Sequence, residues 1–153
     1  MKAFCCTTAA LLLLIIGVVG YKLLVLGETR PAENGRSAIQ LDPGERDLVL
    51  AEMRAFLQSV QIITQSLTDE DLTGAAAAAQ KVGRAAAGDV PVSLMAKLPM
   101  GFKELGLSTH RAFDELALDA EQLGDPAHTL GQLATLLGNC VGCHAAFRIE
   151  TTQ

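Results

Sequence analysis

The distribution of apolar and polar positions divides this chain into three stretches. After Met1 and Lys2 comes an uncharged run, AFCCTTAALLLLIIGVVGY, followed by Lys22 and a short apolar block, LLVLG. As a helix rising 1.5 Å per residue, the run spans roughly 28 Å, about one bilayer hydrocarbon core. Residues 1–27 are therefore expected to form a membrane anchor or an export signal. The run lacks an A-x-A cleavage site and exceeds the apolar core of a typical signal peptide, so an uncleaved anchor is the favoured expectation, with a cleaved signal as its alternative. Either places the remainder on the outer side of a membrane. Cys5 and Cys6 within the run are read as small apolar helix residues.

Residues 28–41 are polar, contain Pro31 and Gly35, and show no helical period. They are expected to form a flexible linker, with the domain proper at 42–153. That domain opens on DPGE, where Asp42 suits the cap, Pro43 the first helical position and Glu45 a capping box. Val49, Met53, Phe56, Val60, Ile63 and Leu67 then recur at alternating spacings of four and three, one apolar stripe on one helix. Thr68 is the expected cap of a second, alanine-rich helix ending near Gly88. The two prolines of DVPVSLMAKLPM predict a structured connection with about one helical turn. A third helix is expected from Met100 to Leu123, ended by Gly124. Asp125 and Pro126 start a fourth, whose stripe runs through Leu130, Leu133, Leu137, Cys140, His144 and Phe147. With no strand signal, the expected fold is all-α: an antiparallel up-down-up-down four-helix bundle behind an N-terminal transmembrane helix.

Composition agrees with packed helices: half the residues are hydrophobic, only 4% are aromatic, and tryptophan is absent. The net charge is −5; the first 27 residues hold two of the twelve basic side chains and none of the seventeen acidic ones, leaving −7 for the rest. Nucleic-acid binding needs clustered Lys and Arg, so no nucleic-acid partner is expected.

The chemistry lies in NCVGCHAAFR, residues 139–148, which holds two of the four cysteines and one of the three histidines. C-x-x-C-H supplies two thiols for the vinyl groups of a haem and an imidazole for its iron, all on one side of a helix. A thioredoxin-like site would need a βαβ context, and a zinc site two further ligands, whereas His110 and His128 are distant in sequence. One covalent haem c is the expected cofactor. His110 and His128 are read as partly exposed helix residues.

The domain resembles the cytochrome c′ family, and that family's low-spin relatives in which a methionine is the second axial ligand. The likeness rests on four helices with the motif in the last one, and on CVGCHAAFR as a C-x-x-C-H-x-x-aromatic-basic ending. It covers Leu41 to Gln153. It implies Cys140 and Cys143 as thioether anchors, His144 as proximal ligand, and Arg148, one turn later, beside the proximal face or a propionate. Family members often carry an arginine one turn before the distal residue. Here that position is Val49, and the nearest candidate propionate partner is Arg46. Members are often dimers, so a homodimer joins the expected partners.

Met53 lies about 15 Å along the first helix from Pro43, and His144 about 13 Å from the opposite chain end, so in an antiparallel pair they share a height. Met53 is the candidate distal ligand, with Met95 and Met100 as competitors. Phe56 and Phe147 are expected to pack on the haem. These residues imply an electron carrier held near membrane redox partners on the periplasmic face of a bacterial inner membrane. A soluble periplasmic form follows if the signal is cleaved. The alternative is a five-coordinate protein binding nitric oxide or another diatomic gas between Met53, Phe56 and the loop around Leu94 and Met95. No enzymatic activity is expected, because the stripe around Met53 offers no acid–base group for peroxide cleavage.

Overall fold

The computed structural model describes residues 2–152, apart from the side chains of residues 2–6, 9 and 89. Cys5 and Cys6 thus lie outside the described side chains. In chain order the elements are α1 (Lys2–Tyr21), a π-helical turn (Lys22–Leu26), β1 (Thr29–Pro31), β2 (Ser37–Leu41), α2 (Pro43–Thr68), α3 (Leu72–Gln80), a 3₁₀ turn (Arg84–Asp89), α4 (Val92–Lys97), α5 (Met100–Leu123), α6 (Pro126–Ala146) and β3 (Phe147–Thr151).

The protein is mostly helical but not all-α, which corrects the expectation of a strandless fold. A small sheet in the order β1-β2-β3 pairs β1 with β2 antiparallel and β2 with β3 parallel. The segment read as a flexible linker supplies two of its strands. Ala38, Ile39 and Leu41 are fully buried there. Local signals explain this: Asn34-Gly35 is a hairpin-turn pair, Gly35 has φ +79°, and Ile39 and Leu41 alternate with polar neighbours.

Two apolar clusters follow from the packing. The larger joins Phe56 and Ile63 of α2, the alanines of α3, Phe113 and Leu116 of α5, and Leu133 and Leu136 of α6. The smaller joins Ile39 and Leu41 of β2, Val49 of α2, Leu94 of α4 and Leu98. Helix α2 contacts α3 and α6, and α5 contacts the same two, so four helices enclose the larger cluster. The buried alanines Ala75, Ala76, Ala78 and Ala79 let α3 approach both long helices closely.

The helix ends largely obey local chemistry. The Asp42 amide donates to Glu45 Oε2 at 3.1 Å, half of a capping box, and Asp125 accepts from the amides of Ala127 and His128 at 2.9 and 3.2 Å. Gly124 ends α5 at φ +62°. Two boundaries differ from expectation. Helix α2 continues through Thr68, so the cap of α3 is Asp71, whose carboxylate accepts from the Gly74 amide at 2.8 Å. Helix α3 stops at Gln80, and a 3₁₀ turn covers most of the distance to Gly88. The proline-flanked connection holds one short helix, α4, as expected.

Leu11 to Leu26 present many exposed apolar groups. Among the described residues no helix is long and apolar enough to cross a membrane. The root of α1 is fastened to the domain. Lys103 Nζ donates to the Leu24 carbonyl at 3.2 Å, and the Glu28 amide to that of Lys97 at 2.7 Å. Gly27, at φ +62°, passes so close to the Lys97 carbonyl that a Cβ there would collide with it.

Candidate functional site

Cys140 and Cys143 are free thiols on α6, three residues apart and therefore neighbours along one face. With His144 they line a cavity of about 410 Å³ between α2, α5 and α6. Met53, Phe56, Leu57 and Val60 line it from α2, and Phe102 and Leu105 from α5. Both cysteines are half-buried and His144 is exposed at the rim. Burial pushes both thiols above their ordinary pKa, and for Cys143 the neighbouring Cys140 adds to the shift.

Of the expected α6 stripe, Leu133 is in the helical core and Cys140 packs against it, whereas Leu130, Leu137 and His144 are exposed. Thr129 and Leu136, off that stripe, are buried beside Leu133, while Leu130 and Leu137 are 53% and 37% exposed. The helix is turned so that Leu137, Cys140 and His144 face the cavity. Helix α6 also ends at Ala146 rather than running toward the chain end. The equal-height argument for Met53 and His144 therefore loses its premise, although both line the same cavity.

The C-terminal strand changes the setting of two further candidates. Phe147 is the first residue of β3, its ring edge-on to Phe102 with centroids 5.6 Å apart. Arg148 lies on β3, not one helical turn beyond His144, and its Nε is 3.2 Å from Glu150. Arg148, Arg46 and Arg36 nonetheless line an adjoining cavity of about 230 Å³ that also touches Met53, Cys143 and His144. Arg46 is 3.6 Å from Asp47. Arg36, from the hairpin turn, was not singled out by sequence; its Nη1 donates to the His144 carbonyl at 3.4 Å. Nothing in the local sequence signals that contact, which spans 108 residues of chain.

Phe56 is buried, stacked on Phe113 at 5.5 Å and tilted against His110 at 4.9 Å. His110 is not a partly exposed helix residue: it is buried, with Nδ1 2.8 Å from the Val82 carbonyl and Nε2 3.1 Å from Glu52 Oε1. Burial alone would lower its pKa, but hydrogen bonds to Glu52 and Val82 outweigh that and raise it. His128 is exposed beside Asp119 at 3.2 Å. Met95 lines a different cavity together with Leu94, and Met100 lines neither. The cavity wall is not free of polar groups either: Glu52, Arg54, Thr109 and Asn139 reach it among mainly apolar side chains.

The donor set suits a covalently held haem. Two thiols one helical turn apart, an imidazole and a thioether border one largely apolar cavity, and three guanidinium groups stand at its side. Among the described residues no cluster of His, Cys, Asp and Glu gathers as a site for a bare metal ion. No family model, curated protein or solved structure matches the chain.

Proposed function

We propose that the protein is a membrane-anchored c-type cytochrome that passes single electrons on the periplasmic side. The reading takes α1 as the anchor and α2, α3, α5 and α6 as an up-down-up-down bundle. One observation carries it: Cys140, Cys143, His144 and Met53 border a single cavity. A haem in that place supplies reversible one-electron chemistry at its iron. Cys140 and Cys143 would hold it through their sulfurs, and His144 and Met53, from α2, would offer an imidazole nitrogen and a thioether to the iron. Phe56, Leu57 and Val60 would give it an apolar wall from α2. Arg36, Arg46 and Arg148 offer positive charge to propionates. The partner is a membrane-associated redox protein, kept near by the anchor.

A second reading, a five-coordinate site for nitric oxide or a similar diatomic gas, is favoured by the apolar side chains Phe56, Leu57 and Val60 that α2 presents beside Met53. Absorption spectroscopy separates the two. A low-spin reduced spectrum unchanged by carbon monoxide supports the carrier; a high-spin spectrum that shifts with the gas supports the second reading.

A further inference from the structure

A second cavity, of about 270 Å³, lies between α2, the 84–97 connection and α5. Its walls are apolar, built from side chains such as Val49, Val90, Leu94, Leu98 and Leu107. Three features distinguish it from a packing defect.

The first is a poised acceptor. Glu52 lines the cavity, and its Oε1 is held 3.1 Å from His110 Nε2. The other imidazole nitrogen is engaged with Val82, so the ring is fixed and in turn fixes the carboxylate. Among the described residues Glu52 Oε2 makes no hydrogen bond. The side chain is one-third exposed, and the free oxygen can accept a charge-assisted hydrogen bond from an O–H donor whose ring lies on the apolar wall.

The second is location. Lys103 also lines the cavity, and its ammonium bonds the Leu24 carbonyl at the root of α1. The cavity therefore lies beside the place where the exposed apolar helix leaves the domain. The third is a shared wall: Glu52, Phe102 and Gly106 border both this cavity and that of Cys140 and His144.

We propose that this cavity binds a membrane-dissolved phenol or hydroquinone. The ring lies among the apolar walls, the hydroxyl donates to Glu52 Oε2, and the alkyl tail extends toward the root of α1. The membrane source rests on the anchor reading above; the binding itself requires no haem.

The full chain in detergent, with methyl groups of Leu94 and Met95 observed by NMR, is titrated with 4-heptylphenol, with its methyl ether, and with unsubstituted phenol. Heptylphenol is expected to shift both methyl signals and saturate at one molecule per chain. The ether, which cannot donate, binds about ten-fold more weakly, as does phenol without its tail. Ala87→Phe, which fills this cavity and does not border the Cys140 cavity, abolishes saturation, and Glu52→Gln weakens it. An ether that binds as tightly as heptylphenol, or retained binding in Ala87→Phe, overturns the proposal. Equal affinity for phenol and heptylphenol overturns the membrane source. The ether and phenol comparisons use the unaltered protein, so they stand even if a variant misfolds. The absorbance of the same sample reports the haem separately. A colourless protein that binds heptylphenol sinks the cytochrome and spares this site, and a coloured one that does not bind it does the reverse.

Discussion

Ser37 on β2 is paired with Phe147 on β3, three residues after His144, in a parallel register that continues through Leu41 and Thr151. The segment leaving the apolar helix is thus hydrogen-bonded to the segment leaving the C-x-x-C-H motif. The two segments are tied together at the side of the domain where the candidate cofactor site lies, and Arg36 adds a contact from the hairpin to the His144 carbonyl.

If this strand pair is part of the domain, removing its core should be costly. Ile39 has no exposed surface and pairs opposite Ile149. Ile39→Ala is expected to lower unfolding free energy by about 2–5 kcal/mol. Denaturant unfolding measures it. An effect near zero would mean that residues 37–41 behave as a linker.

The fastening of α1 depends on Gly27. Its positive φ and its approach to the Lys97 carbonyl leave no room for a side chain. Gly27→Ala should speed hydrogen exchange at the amides of Glu28 and Gln40, which bond the carbonyls of Lys97 and Glu28. Amides inside α5 and α6 should keep their protection. Unchanged exchange at Glu28 would show that the junction does not depend on this glycine.

Acid should loosen the same region. Lys97 Nζ lies 2.8 Å from Asp42 and 2.7 Å from Glu45. Its hydrogen bond, followed by one from Thr152, holds the Asp42 carboxyl below the usual aspartate range. A depressed folded pKa adds stability above the unfolded value of about 3.9, and this is lost as pH falls through the folded value. Stability should therefore decline below about pH 4. Lys97→Met should be less stable than the parent at pH 6, and the difference should shrink with acid. A constant difference between pH 6 and pH 2 in paired unfolding curves would contradict this origin.

Met53 is the test of iron ligation. Met53→Ala is expected to turn a low-spin, carbon-monoxide-indifferent spectrum into a high-spin one that responds to the gas. Met95→Ala should leave it unchanged, because Met95 lines the other cavity. An unaltered spectrum in Met53→Ala removes it as the distal ligand.

Much of this was legible in the residues, for physical reasons. Asp42-Pro43 and Asp125-Pro126 start helices through local cap chemistry, and the four-three spacing on α2 follows from helix geometry. C-x-x-C-H is legible because its groups are contiguous. Contacts distant in sequence were not. The strand at 147–151 forms only because β2 lies beside it, 110 positions earlier at Gln40 and Glu150. Phe147, Arg148, Ile149 and Glu150 do alternate, but the run is short and a helical pattern points through Phe147. The burial of Thr129 and Leu136, off the expected stripe, is set by packing with other helices and not by the spacing within α6. The role of His110 was hidden for the same reason: its partners, Val82 and Glu52, come from other elements.

The mass of the full chain, purified from a host with active cytochrome-maturation machinery, tests the central claim most directly. The expected result is a coloured protein whose denatured mass exceeds that of the polypeptide by one haem, with the increment lost in a Cys140→Ala, Cys143→Ala double variant. A colourless product at the bare polypeptide mass would contradict it.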